Sequence, residues 1–116
     1  MGGLLDDMKA ACERYGASFV DTPGDSIVGV AENVVAGSYP LNGLRHIVGE
    51  TSGWFIWAGE HLSAEPDFFK PTHARHLVDR RPEVLPMLGL AEGWRFLIAP
   101  GHEDVWFDLS LLDHSV

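Results

Sequence analysis

Apolar residues at Leu4, Leu5, Met8, Ala11, Cys12 and Tyr15 recur at spacings of three and four, the period of one helical face. Asp6 and Asp7 open this stretch, Arg14 lies near its end and Gly16 follows. Those charges suit the helix dipole and the glycine suits a stop, so an amphipathic helix is predicted over residues 4–15. Beyond it the period shortens. Residues 22–25 (Thr-Pro-Gly-Asp) read as a turn and 26–30 as a short strand. Residues 31–37 read as a turn or short helix, and 39–43 as a loop with a hairpin-type Asn-Gly. Residues 44–50 and 54–58 are strand candidates separated by Thr51-Ser-Gly53, a spacing that predicts an antiparallel hairpin.

From His61 to Lys70 the chain turns polar and irregular. Pro71 then stands where proline opens a helix, here running through His73 and Leu77 towards Arg80. A second helical piece after Pro82 carries Val84, Leu85 and Leu88 as far as Gly89. Residues 94–99 and 105–108 read as strands joined through Pro100-Gly-His-Glu-Asp104. Helices and strands that do not alternate regularly predict an α+β fold. The expected form is an antiparallel sheet of about four to five strands, with the N-terminal helix and a short helical insertion packed on it. At 116 residues the chain is expected to form one domain, residues 1–116.

Within this frame residues 51–60 (Thr-Ser-Gly-Trp-Phe-Ile-Trp-Ala-Gly-Glu) pose a question. On a strand Trp54 and Ile56 share one face while Phe55 and Trp57 share the other, so both faces are apolar. Such a strand is either covered twice or presents an aromatic patch to a partner. The same alternative applies to Trp94 and Trp106, since a buried indole needs a partner for its N–H and an exposed one makes a strong interface anchor.

Charge narrows the classes of partner. Eight Lys and Arg stand against seventeen Asp and Glu, a net charge of −9. Phosphate backbones are bound mainly by Lys and Arg, so nucleic acid is not the expected ligand, whereas a cationic protein would be steered to this surface. No apolar run approaches the roughly 18 residues that cross a bilayer. The N-terminus also lacks the basic start and apolar stretch of a secretion signal, so the expectation is a soluble cytoplasmic protein. Cys12 is the only cysteine, which leaves no internal disulfide and no thiolate cluster.

Three groups of residues could carry chemistry. His73 and His76 lie three apart on the predicted helix and could share a metal with His102, Glu103 or Asp104. They lack the Glu of a His-Glu-x-x-His motif, the usual base beside a metal-bound water. Carboxylates gather at Glu60, Glu65 and Asp67 and again at Glu103, Asp104 and Asp108, as an acid pair or as a solvated rim. None of Ser38, Ser52, Ser63 and Ser110 stands in a Gly-x-Ser-x-Gly elbow, and the glycines form neither a Gly-x-Gly-x-x-Gly nor a Walker sequence. A non-catalytic binding role without cofactor therefore leads. A metal-assisted hydrolase using His73, His76 and His102 is the alternative, and a subunit of a larger assembly is the third reading.

These residues also resemble a family. Residues 26–37 (Ser-Ile-Val-Gly-Val-Ala-Glu-Asn-Val-Val-Ala-Gly), 51–60, 82–90 (Pro-Glu-Val-Leu-Pro-Met-Leu-Gly-Leu) and 93–96 (Gly-Trp-Arg-Phe) look like bacterial immunity protein class thirty-three. The resemblance covers about residues 26–112. Its most specific element is Ser-Gly-Trp-x-x-x-x-Gly-Glu, here Ser52, Gly53, Trp54, Gly59 and Glu60. The chain departs from the usual pattern in having Thr51 before Ser-Gly-Trp and a single Glu60 after the glycine. The resemblance implies an α+β domain that neutralises a cognate bacterial toxin. An acidic chain without catalytic motifs agrees with that role, and a cationic toxin would be captured fastest. The partner-binding candidates are Trp54, Trp57, Glu60, Asp67, Phe69, Glu103, Asp104 and Trp106; the oligomeric state is not set by the sequence.

Overall fold

The computed structural model describes residues 4–34, 38–46, 52–59, 68–77 and 81–112. Helix α1 spans Leu4–Tyr15, with both acids in its first turn and Arg14 in its last. Six strands follow: β1 (Ile27–Ala31), β2 (Leu41–Arg45), β3 (Trp54–Ala58), β4 (Phe69–His73), β5 (Trp94–Ala99) and β6 (His102–Phe107). They form one mixed sheet ordered β4-β1-β3-β2-β5-β6, in which only β1 and β3 run parallel. The fold is thus α+β as expected, with one strand more than the upper expectation and a sheet that is mixed rather than wholly antiparallel, because β1 lies parallel to β3.

Three strand expectations need correction. The β2–β3 pair is antiparallel, but β2 begins at Leu41, with Leu41 opposite Ala58 and Arg45 opposite Trp54. Asn42-Gly43 is therefore strand rather than turn. The Asn42 amide donates to the Gly59 carbonyl at 2.7 Å, and Gly43 leaves room for the Phe96 ring, which would lie 2.1 Å from an added Cβ. Pro71 sits inside β4 rather than at a helix start. As an edge strand β4 can spare the N–H that proline lacks; a 3-10 turn over Ala74–His76 follows and Leu77 is helical, while residues 78–80 of the expected run towards Arg80 lie outside the described residues. The last hairpin turns tightly at Pro100-Gly101, where Gly101 has φ +73, so His102, Glu103 and Asp104 belong to β6 and not to a loop.

Alternation divides the sheet's faces. Trp54, Ile56, Phe96, Val28 and Val30 are buried on the face covered by α1 and a 3-10 helix, Pro82–Gly89. It is the short helical piece expected from Pro82 to Gly89, and Pro86 within it suits a 3-10 form. Met8 and Cys12 of α1 meet it at Gly89, where an added Cβ would approach Met8 Cβ to 2.8 Å and the Cys12 thiol donates to the Gly89 carbonyl at 3.3 Å. On the opposite face Phe55 and Trp57 stack edge-on against Phe69.

Candidate functional site

The Ser-Gly-Trp motif builds a joint between layers. Ser52 donates its hydroxyl to the Ile27 carbonyl at 2.7 Å and accepts from the Trp54 amide at 3.2 Å, tying the start of β3 to β1. Gly53 has φ +88, and an added Cβ would lie 2.1 Å from the His46 carbonyl oxygen, so a side chain is excluded there. Trp54 is 1% exposed, and its indole N–H is shared between Thr22 Oγ1 and the Leu88 carbonyl, both at 3.2 Å. Thr22 itself donates to that carbonyl at 2.6 Å. A binding anchor must be accessible, and Trp54 is a strut of the core.

Beside it lies Arg45, which the sequence did not single out. Only 4% exposed, it stacks over Trp54 and donates to five backbone carbonyls. Nε reaches Ser52 at 2.8 Å, Nη1 reaches Val20 at 2.7 Å, Leu90 at 2.8 Å and Leu88 at 3.4 Å, and Nη2 reaches Asp21 at 3.2 Å. Burial pulls its pKa below the usual guanidinium range, opposed by the charges of Glu92 and Asp21. A guanidinium still remains charged in proteins, and carbonyl dipoles here do the work of a counter-ion. The available signal was its position: Arg45 occupies the strand site that alternation places on the apolar face with Leu41 and Gly43.

The predicted partner-binding residues scatter. Trp57 is also buried, at 4%, and Phe69 is half-buried beside it. Phe69 lines a shallow apolar cleft with Ile27, Gly29, Phe55 and Pro71, rimmed by Lys70. Glu60 and Asp67 lie outside the described residues, as does Glu65. Among the described candidates, Trp57 and Phe69 meet ring to ring on one face of the sheet, while Glu103, Asp104 and Trp106 stand together, all exposed, on edge strand β6. Glu103 faces α1, where it accepts from Arg14 Nη1 at 3.0 Å and from the Tyr15 hydroxyl. That bond holds the Tyr15 phenol above its usual range. On the other face Trp106 covers the Arg95 guanidinium, 5.4 Å from ring centre to Cζ. Arg95 Nη1 donates to Asp108 at 3.1 Å, while its Nε is buried without a hydrogen-bond partner among the described residues. The Ser110 hydroxyl first, and then Arg95, hold the Asp108 carboxyl below its usual range. Phe107 at the end of this strand and Leu109 just beyond it extend the exposed apolar surface.

The three-histidine grouping does not form. His73 and His76 are neighbours, their rings 5.7 Å apart, but His102 begins β6 at the opposite edge of the sheet. Five strand spacings of about 4.8 Å place roughly 24 Å of sheet between the two edges. Among the described residues no three His, Cys, Asp or Glu side chains converge as metal ligands. No helix among them is long and apolar enough to cross a membrane.

Comparison with curated proteins gives no match, and neither does comparison with solved structures. The resemblance expected over residues 26–112 reaches further towards the N-terminus in the family comparison, where the Imm33-like domain model matches residues 7–108. It takes in most of α1 along with the whole sheet. With most of its length matched, the chain belongs to the Imm33-like domain family.

Proposed function

We propose that this chain is an immunity protein, a cytoplasmic non-catalytic domain that binds and neutralises a cognate bacterial toxin. The observation that carries the proposal is the β6 surface of a chain in this family: Glu103, Asp104 and Trp106 exposed on one edge strand. An inhibitor acting one-to-one needs a complementary surface and no turnover. Carboxylates around an exposed indole supply charge selection at the rim and apolar anchoring at the centre. The net charge of −9 favours a cationic partner and speeds its capture. Trp54, Trp57 and Arg45 serve this role indirectly, by fixing the sheet that presents β6.

The test is affinity capture from the encoding organism, comparing wild type with an Asp104→Lys, Trp106→Ala double variant of unchanged thermal stability. One stoichiometric partner, lost with the variant, is expected. That partner should arrest growth when expressed alone and cease to do so when this chain is co-expressed. Equal capture by both proteins, or a partner without toxicity, would refute the reading.

A further inference from the structure

The two edges of the sheet are built differently. β4 carries Pro71 in its middle and exposed Lys70 beside it, two devices that stop another strand from pairing. β6 has neither proline nor lysine, runs six residues in unbroken register against β5, and ends on exposed Trp106 and Phe107. Its backbone geometry follows from one bond. The Asp108 amide donates to the Gly93 carbonyl at 2.7 Å, so in an antiparallel ladder Trp106, Asp104 and His102 also turn their N–H and C=O towards β5. The backbone groups of Glu103, Val105 and Phe107 therefore point away from the sheet.

We infer that β6 is a docking edge for an extended cationic segment of a protein partner, which adds as a seventh strand. This rests on the toxin-binding reading and specifies its mode. Main-chain bonds to Glu103, Val105 and Phe107 hold the segment, and side chains select it. Asp104, exposed and without an ion pair among the described residues, accepts Lys or Arg on one face. Glu103 offers a carboxylate on the other, and the exposed rings of Trp106 and Phe107 receive apolar residues further along. A second copy of this chain is the poorer occupant, since it would bring another nine net negative charges to the seam.

The probe is a synthetic octapeptide of alternating Lys and Val, with the same peptide N-methylated at every residue as control. Fluorescence anisotropy should show the plain peptide binding at least tenfold tighter, because the methylated one keeps the charge but cannot complete a ladder. Val105→Pro removes an outward N–H while leaving both carboxylates, and should abolish that preference; Val105→Ala should keep it. Hydrogen exchange on the unmodified protein gives a reading independent of any variant's folding. Protection on peptide addition should appear at the amides of Glu103, Val105 and Phe107 and not at His102, Asp104 or Trp106, already bonded to β5. Equal affinity for the two peptides, absence of that alternating protection, or a β6-dependent dimer of the free protein would overturn the inference. Toxin capture is measured without the peptide, so loss of one result leaves the other standing.

Discussion

Replacing Arg45 by methionine keeps the length and apolar stem of the side chain and deletes every donor, while the carbonyls it served cannot be removed. Three of its bonds, to Val20, Ser52 and Leu90, are 2.8 Å or shorter. At about 1.5–3 kcal/mol for each bond from a charged donor, they amount to about 5–9 kcal/mol. The Val20 carbonyl lies near the surface and can be rewetted, and the Leu88 carbonyl keeps Thr22 and Trp54 as donors. The net loss is then about 3–5 kcal/mol, the range found when a buried charged group is taken from its partners. Against a total of about 5–15 kcal/mol this removes a large share of the stability. With about 4 °C lost per kcal/mol at this chain length, the midpoint falls by about 12–20 °C. Arg45→Lys, whose single ammonium cannot reproduce the fork, should fall between the two. Urea denaturation followed by circular dichroism measures both. A loss below about 1 kcal/mol for Arg45→Met, typical of a surface substitution, would refute the view that this guanidinium joins the segments around it.

Gly43→Ala should destabilise by about 1–3 kcal/mol in the same assay, because the new methyl meets the Phe96 ring of a packed core; an unchanged midpoint would show that the ring moves freely aside. Cys12, its thiol pushed up by burial with Arg45 working against the rise, should resist a thiol reagent in the native protein and react at once in denaturant. Reaction at equal rates in both conditions would contradict its placement. For Asp108 the folded pKa is depressed, so its contribution to stability is complete above its unfolded value of about 3.9 and declines as the pH falls through the lower folded value. Asp108→Asn should therefore flatten the acid limb of the stability profile below about pH 4 and leave a constant difference near neutrality.

Where one kind of periodicity ran without interruption, the sequence could be read directly. Helix α1 follows from the spacing of Met8, Ala11 and Cys12, and β3 and β5 follow from short apolar, aromatic-rich runs, with both ends of each as expected. Misreadings arose where a residue's usual local meaning was overridden by what surrounds it. Asn42-Gly43 has turn chemistry, yet here the amide of one and the missing side chain of the other serve cross-strand packing. Pro71 opens helices elsewhere, yet an edge strand tolerates it equally. The site divided along the same line. Glu103, Asp104 and Trp106 were named from the sequence and stand together in the fold, but Trp54 and Trp57 have aromatic character that marks core and interface alike. Only the positions of Thr22 and Leu88 decide for Trp54. Arg45 escaped notice because an isolated arginine on a strand carries no motif.

The order β4-β1-β3-β2-β5-β6 also sets a timetable for the growing chain. Both neighbours of β1 are made after it, β3 from Trp54 and β4 from Phe69, while the 3-10 helix against which α1 packs begins only at Pro82. At roughly 5–20 residues per second, the apolar strand with Val28 and Val30 waits about two to eight seconds on the ribosome before β4 can close its far side. The first half of the protein can pair β1, β3 and β2 among themselves, but α1 and the apolar face it covers lack the 3-10 helix that completes their layer until the second half arrives. Premature termination should yield chaperone clients and protease substrates rather than a partly working domain.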